Sequence, residues 1–184
     1  VTYTDGNGCS ATSAPTVVTV NANPAAPMIS ASGPTTFCAG GSVNLTSSQA
    51  SGNVWSTTET TQTINVSSSG SYSVTYTDGN GCSATSAPTV VTVNATPAAP
   101  VISASGPTTF CAGGSVDLTS DQTSGNVWST TETTQTINVT TSGSYDVTYT
   151  DGNGCSSTSA PVVVTVNANP AAPVITPSGA TTFC

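Results

Sequence analysis

Apolar and polar residues alternate within short segments of this chain, and clusters of Gly, Asn, Ser and Pro separate the segments. In residues 144–150, for example, Tyr145, Val147 and Tyr149 alternate with polar neighbours. Alternation of this kind predicts a β-strand with one buried face. Because no stretch of the sequence shows the 3.6-residue period of an amphipathic helix, the pattern predicts an all-β chain.

The tetrapeptide Asp-Gly-Asn-Gly at 151–154 separates two of the predicted strands, 144–150 and 155–167. Gly and Asn tolerate the positive φ angles that tight hairpin turns require. The tetrapeptide therefore predicts a β-hairpin, and the same prediction holds at 5–8 and 78–81, where it recurs.

The chain repeats itself with a period of 73 residues, since the string VTYTDGNGCS begins at Val1, Val74 and Val147. A fixed period of this kind is the sequence signature of a tandem array. We expect the last strands of one repeat at 1–26, two complete repeats at 27–99 and 100–172, and the first strand of a following repeat at 173–184. The two complete repeats differ at ten positions. The sequence is then a segment of a longer array.

The charge of the chain excludes several classes of function. Asp and Glu number 8, Lys, Arg and His are absent, and the net charge is −8. Nucleic-acid binding needs basic residues to displace counterions from phosphates, and anionic membrane surfaces would repel this chain. Without His there is no imidazole for acid–base catalysis or for metal binding. No apolar run approaches the roughly 18 residues that span a membrane, so we expect no membrane insertion.

Four motifs together resemble a known family: C-A-G-G-S-V-[ND]-L-T, N-V-W-S-T-T-E-T-T-Q-T-I-N-V, S-G-S-Y-x-V-T-Y-T-D-G-N-G-C and S-A-P-x-V-V-T-V. The combination is similar to the bacterial immunoglobulin-like or PKD-like repeats of large secreted and cell-surface proteins of the Bacteroidetes type, and it covers essentially the whole chain. The resemblance implies an extracellular or cell-surface location. It also implies tandem immunoglobulin-like β-sandwich repeats of 73 residues with about seven strands each.

The resemblance also assigns core positions in each repeat. It implies a buried Trp on the third long strand, a Tyr near the tyrosine-corner position, and a Val two residues later where antibody domains carry a Cys. A Leu on the second long strand would face that Val. The residues concerned are Trp55, Trp128, Tyr72, Tyr145, Val74, Val147, Leu45 and Leu118. The antibody disulfide itself is not expected, because the cysteines lie elsewhere.

Six cysteines at regular positions in an extracellular type of chain predict disulfide bonds. One possible pairing lies within each repeat, as Cys38–Cys82 and Cys111–Cys155. The other joins successive repeats, as Cys38–Cys155. In a sandwich, Cys38 precedes the second long strand at one end, whereas Cys82 follows the hairpin at the opposite end.

A seven-residue strand spans about 23 Å, but the Cα atoms of a disulfide lie within about 7 Å. The distance argument favours Cys38–Cys155 and leaves the pairing within repeats as the alternative. Under the favoured pairing, the remaining cysteines would pair with repeats or chains beyond this sequence; they are Cys9, Cys82, Cys111 and Cys184.

Candidate chemistry is sparse. Asp78 and Asp151 begin the Asp-Gly-Asn-Gly sequences and are weak calcium candidates, but a calcium loop needs more oxygen ligands than the turn supplies. Glu59 and Glu132 each stand alone in sequence, so no pair of carboxylates for glycoside hydrolysis is expected. We predict no catalytic residue and no cofactor.

Together these observations predict a structural repeat of a long extracellular protein. The repeats would stack head to tail into a stiff stalk or filament shaft with disulfide-reinforced joints. The expected partners are neighbouring repeats of the same chain and identical chains in a fibre. Two alternatives remain open, namely an adhesin module that binds glycans or another cell surface, and a spacer domain appended to a secreted enzyme.

Overall fold

The structure is a computed structural model, and it describes residues 1–179 and 181–182. Twenty short β-strands account for all regular secondary structure in that part of the chain, so the all-β prediction is confirmed. No helix among these residues is long and apolar enough to cross a membrane.

The strands follow the sequence period. Before the first complete repeat come β1 (Thr2–Thr4) and β2 (Ser10–Thr12). The first repeat contains β3 (Ile29–Ala31), β4 (Thr36–Cys38), β5 (Val43–Ser47), β6 (Asn53–Trp55), β7 (Thr63–Val66), β8 (Gly70–Tyr72), β9 (Val74–Thr77), β10 (Ser83–Thr85) and β11 (Thr89–Asn94). The second contains β12 (Ile102–Ala104), β13 (Thr109–Cys111), β14 (Val116–Ser120), β15 (Asn126–Trp128), β16 (Thr136–Val139), β17 (Gly143–Tyr145), β18 (Val147–Thr150), β19 (Ser156–Thr158) and β20 (Val162–Asn167).

The chain forms two compact units, whose boundaries differ from those of the sequence repeats. An N-terminal unit comprises Val1–Thr35 and Ser42–Thr92, and a C-terminal unit comprises Thr36–Gly41 and Val93–Cys184. A short segment of the first repeat therefore belongs to the C-terminal unit. Residues 173–182, where the first strand of a following repeat was expected, carry no strand in the described part of the chain.

The second repeat is built from two layers of strands. In one layer β14 lies between β12 and β16, and both pairings are antiparallel. In the other, β18 lies between β15 and β19, while β20 lies between β17 and β13. The β13–β20 pairing is parallel, and the other pairings of this layer are antiparallel.

Two of the predicted strands are interrupted. Segment 144–150 breaks at Asp146 between β17 and β18, and segment 155–167 breaks at 159–161 between β19 and β20. The register explains the break, because Thr148 faces Thr158 whereas Tyr145 faces Val162. The later strand thus carries one extra residue, which is a β-bulge. Counting each interrupted pair as one strand, the nine segments of the repeat form seven strands.

One hydrophobic core fills the space between the layers of the second repeat. Alternate residues of β14 and β16 point into it, including Leu118 and Ile137, which face each other across the ladder. Trp128 and Val147 are cross-strand neighbours on the opposite layer. Burying side chains of this size stabilises the fold by about 1.5–3 kcal/mol each. The period-2 alternation of the sequence is therefore what builds the sandwich.

All eight core positions that the family resemblance assigns are buried in the structure. Trp55 donates its Nε1–H to the carbonyl oxygen of Thr61 at 2.8 Å, so its single polar group is satisfied. Tyr72 donates its hydroxyl hydrogen to the carbonyl oxygen of Ser68 at 2.9 Å, four residues upstream. A Tyr hydroxyl that returns to the backbone in this way is the feature of a tyrosine corner.

Candidate functional site

A disulfide bond joins Cys38 to Cys155, with an S–S distance of 2.03 Å and a Cα–Cα distance of 5.6 Å. The two cysteines are 117 residues apart in sequence, and each belongs to a different 73-residue repeat. In the structure both lie in the C-terminal unit. Cys82 and Cys111 are free thiols, so neither of the pairings within a repeat is present.

Cys38 is presented by the end of a strand. It is the last residue of β4, and its carbonyl oxygen accepts a hydrogen bond from the Gly41 N–H at 3.0 Å. The next residue, Ala39, donates its N–H to the carbonyl oxygen of Asn94 at 2.8 Å. Both hydrogen bonds engage the peptide group that joins Cys38 to Ala39, and they fix the backbone next to the bonded side chain.

Cys155 is presented by the hairpin that Asp151 closes. The Asp151 Oδ1 atom accepts hydrogen bonds from the backbone N–H groups of Asn153 and Cys155, both at 2.9 Å. Gly154 has a φ of 80°, which the absence of a Cβ makes inexpensive. The Asp-Gly-Asn-Gly turn predicted from the sequence thus also positions Cys155, which follows it directly.

The hairpin lowers the pKa of the Asp151 carboxyl below its ordinary value of 3.8. The largest cause is the hydrogen bond from the Cys155 N–H, which favours the charged carboxylate. Burial acts in the opposite direction, and the bonds from Asn153 and Gly154 lower the pKa further. The ionised carboxylate is therefore the form that holds this turn.

Asp78 occupies the equivalent place in the first repeat and accepts hydrogen bonds from the N–H groups of Asn80 and Cys82, both at 2.9 Å. One carboxylate oxygen of Asp78 and of Asp151 is thus engaged by two backbone donors. In the part of the chain that the structure describes, no group of three or more His, Cys, Asp or Glu residues could hold a metal ion. In this geometry the two aspartates close turns.

Three further cysteines carry free thiols. Cys9 and Cys111 are exposed, and Cys82 is partly buried with its Sγ 3.9 Å from the carbonyl oxygen of Asn21. Cys155, which is bonded, has no exposed surface. Cys184, the sixth cysteine of the prediction, lies outside the described residues.

The structure also contains a buried polar network that the sequence pattern did not indicate. Ser47 donates its hydroxyl hydrogen to Asn53 Oδ1 at 2.8 Å, and Asn53 Nδ2 donates to the carbonyl oxygen of Gln49 at 2.8 Å. Ser120 and Asn126 repeat this arrangement. The network links the end of the central strand of one sheet to the start of a strand in the other sheet through satisfied hydrogen bonds. Its sequence signal is an Asn six residues after a strand-ending Ser.

An open cavity of about 280 Å³ lies in the N-terminal unit. It is lined by Pro27, Met28, Ile29, Ala87, Pro88 and Thr89. None of these side chains is ionisable, so the cavity offers apolar contact and no acid–base chemistry. The chemically distinctive groups of the described chain are therefore the cysteines and the hairpin aspartates beside them.

The strand order of the second repeat defines a class of fold. Its first, third and fifth strands form one sheet, and the fourth, sixth and seventh form the other, with the second strand beside the seventh. Two sheets connected in this order make an immunoglobulin-like β-sandwich. The described chain therefore combines this type of sandwich with a disulfide between two sequence repeats.

No family model and no curated protein matches the sequence. Solved structures with some likeness include the mouse coronavirus receptor-binding domain complexed with its murine receptor (15% identity, TM-score 0.41, covering 75% of this chain and 98% of that one). The fibronectin(III)-like modules of Clostridium thermocellum CbhA share 14% identity with a TM-score of 0.37, and the match covers 77% of this chain and 94% of that one. The human OSCAR ligand-binding domain shares 13% identity with a TM-score of 0.33, and the match covers 78% of this chain and 100% of that one. Since these three TM-scores are below 0.5, the fold class rests on strand topology.

Proposed function

We propose that this chain is a structural repeat segment of an extracellular, Bacteroidetes-type surface protein. Its 73-residue immunoglobulin-like repeats stack head to tail into a stiff stalk or filament shaft, and disulfides reinforce the joints. The observation that carries the proposal is the Cys38–Cys155 bond, because it ties two successive sequence repeats together covalently. A disulfide also fits an oxidising location outside the cytosol.

The bond acts on the flexibility of the connection between repeats. Residues 94–100, which join the two repeats, include Pro97 and Pro100, whose fixed φ favours extended backbone. The disulfide closes a loop of 117 residues around this connection. In the chain-entropy model, a loop of about 100 residues stabilises the folded state by about 4.7 kcal/mol. A stalk gains both stability and stiffness from such a link.

The composition supports a structural role. Ser and Thr hydroxyls are abundant, but the sequence holds no His or Lys that could activate one as a nucleophile. The absence of Lys and Arg also removes every cleavage site for trypsin-like proteases, which suits a chain exposed outside the cell. The proposed shaft thus needs no charge network and no cofactor.

Small-angle X-ray scattering of the full chain tests the proposed stiffness. The reference protein carries Cys9→Ser, Cys82→Ser, Cys111→Ser and Cys184→Ser, so that only Cys38 and Cys155 remain and the bond between them leaves no free thiol. We expect the scattering of a rigid particle from this reference. Adding Cys38→Ser and Cys155→Ser should give the broader distance distribution of a flexible chain. Identical curves for the two proteins would refute the reinforced joint.

Electron microscopy of the native material tests the shaft itself. We expect a regular fibre whose axial repeat is commensurate with one 73-residue unit. Irregular particles without any axial repeat would contradict the stalk, even if the disulfide stiffens the isolated chain.

A further inference from the structure

The Cys38–Cys155 bond separates the residues that lie between its two cysteines from those that lie outside them. The two cysteines are 117 residues apart in sequence, but their Cα atoms are only 5.6 Å apart. Tension that enters the chain before Cys38 and leaves it after Cys155 therefore passes through the two sulfurs, because the bond is the shorter connection. We call residues 39–154, which such tension does not reach while the bond is intact, the bridged segment.

The buried core of the first repeat lies entirely in the bridged segment. The strand ladders that surround this core lie there too, since β5 pairs with β7, β6 and β10 both pair with β9, and β8 pairs with β11. Its buried apolar residues are Val43, Leu45, Trp55, Ile64, Val66, Tyr72, Val74 and Val91.

The part of the first repeat that carries the tension is small. It comprises β3 and β4, and β4 ends at Cys38 itself. β3 lies at the edge of its sheet and pairs with one neighbour, β5, over three positions. Ile29 and Phe37 of these two strands are only partly buried. If tension detaches β3, the sheet loses one edge strand and the pairing of β5 with β7 remains.

The second repeat is bridged less completely. Its strands β19 and β20 follow Cys155 and lie outside the bridged segment. β20 lies between β13 and β17, and it supplies the buried Val164 to the core. Tension therefore acts on a central strand and a core side chain of the second repeat, whereas in the first repeat it acts on the strands that precede the core.

We infer that the Cys38–Cys155 bond keeps the core of the first repeat folded under tension, and that reduction of the bond exposes this core to the load. The inference rests on the proposed function, because a stalk carries tension along its length. The bond then acts as a redox-sensitive mechanical switch. The 117 residue steps that it holds back would span about 400 Å when fully extended, at roughly 3.3–3.6 Å each.

A dithiol such as dithiothreitol reduces the bond. Its thiolate attacks the sulfur of Cys38, which is partly exposed, whereas Cys155 has no exposed surface. The Cys155 thiolate leaves, and the second thiol of the reagent then attacks the mixed disulfide and releases the Cys38 thiolate. The protein disulfide gains two electrons, the dithiol loses them as it closes into a cyclic disulfide, and its two protons pass to the cysteines.

Force-clamp stretching of single molecules tests the inference. The protein is the reference chain of the scattering experiment, in which only Cys38 and Cys155 remain, held between handles fused to its two ends. The matched control also carries Cys38→Ser and Cys155→Ser, and the constant force is one at which this control unfolds completely. Dithiothreitol should leave the control unchanged.

We expect the oxidised chain to stop short of the length of the control by about 400 Å. When dithiothreitol is added, we expect an immediate step that recovers only part of this length. A delayed step of about 170 Å should follow, which is the gain expected when β5 to β11 unfold at roughly 3.3–3.6 Å per residue. Its lifetime should equal that of the same step in the control.

A single immediate step of about 400 Å on reduction would overturn the inference, because the core of the first repeat would then have been unfolded already. An oxidised chain that reaches the length of the control would overturn it as well. Neither result decides whether the joint is stiff, since the scattering experiment measures that property without load.

Discussion

The two complete repeats have nearly the same sequence and the same strands but different covalent states. They differ at ten positions of 73, and their strands have matching lengths and registers. In the first repeat Cys38, at the end of a strand, is bonded and Cys82, after the hairpin, is free. In the second repeat the equivalent strand-end residue, Cys111, is free and the equivalent hairpin residue, Cys155, is bonded. The local sequence therefore builds each cysteine's geometry, and the neighbouring repeat decides whether a bond forms.

The substitutions between the repeats are consistent with this conclusion. Asn44 of the first repeat becomes Asp117 in the second, yet each accepts a hydrogen bond from the facing Asn, Asn65 or Asn138. Ser48 becomes Asp121, and each side chain accepts the N–H of the residue just before the first strand of its repeat. These two differences thus preserve hydrogen bonds on the surface, and the strand residues buried in the two cores are of the same types.

The largest expected effect comes from removing the bond that distinguishes the repeats. In the chain whose other four cysteines are Ser, we expect Cys38→Ser with Cys155→Ser to lower the free energy of unfolding by about 2–5 kcal/mol. The chain loses the constraint that the closed loop places on its unfolded state. Urea denaturation followed by Trp fluorescence measures the change.

The matched control is Cys82→Ser with Cys111→Ser in the wild-type chain, kept dilute to limit oligomers. These cysteines form no bond within the chain, so we expect a change within about 0.5 kcal/mol. An effect as large as that of the bonded pair would show that the asymmetry between the repeats has no energetic meaning.

A second comparison concerns the buried polar network, which is the same in both repeats. Asn126→Ala leaves the Ser120 hydroxyl and the Gln122 carbonyl without their partner, and such a loss costs about 1–3 kcal/mol. Asn53→Ala should cost the same, because its contacts are equal. Denaturation of both variants checks this, and a difference above 1 kcal/mol would show that the cores are not energetically equivalent.

A smaller effect is expected in the turn after each buried Trp. Thr58 and Thr131 have φ angles of 80° and 78°, which are unfavourable for a β-branched residue. Asn tolerates this conformation, so Thr131→Asn should raise stability by about 1 kcal/mol. The adjacent Thr130 lacks a positive φ, and Thr130→Asn is the control. Thermal denaturation with equal midpoints for both variants would argue against strain in the turn.

The smallest effect appears only in acid and concerns the Asp151 hairpin. Its pKa is lowered in the folded state, so the ionised carboxylate stabilises folding above pH 3.8, and this contribution is lost as the pH falls through the lowered pKa. The stability difference between wild type and Asp151→Asn should therefore shrink below pH 3.8. Denaturation across pH 2 to 7 measures it, with Glu132→Gln as the control for a lost charge. A pH-independent difference would exclude this linkage.

Alternation was sufficient to predict the strands and their buried faces. Leu118 and Val147 lie at alternating positions, and both are completely buried. Alternation could not show the bulge at 159–161, because an inserted residue changes the partner register without changing composition. It also missed Asn126, since an Asn after a Gly is typical of a turn and its burial depends on Ser120 being brought beside it by the fold.

The disulfide was only partly accessible from sequence. Spacing left two pairings, and strand length favoured Cys38–Cys155, which is the bond in the structure. Which cysteines are close depends on how segment Thr36–Gly41 packs with the C-terminal unit, and no local pattern encodes that packing. The lowered pKa of Asp151 likewise depends on backbone donors that exist only in the folded hairpin.

The span of the Cys38–Cys155 bond has a consequence for damage. A single backbone cut at any position between these residues leaves the two fragments covalently joined, because the bond bypasses the cut. The enclosed segment is longer than one 73-residue period. If every repeat carried such a bond, successive closed segments would overlap, and a nicked fibre would keep its continuity until the sulfurs themselves were reduced.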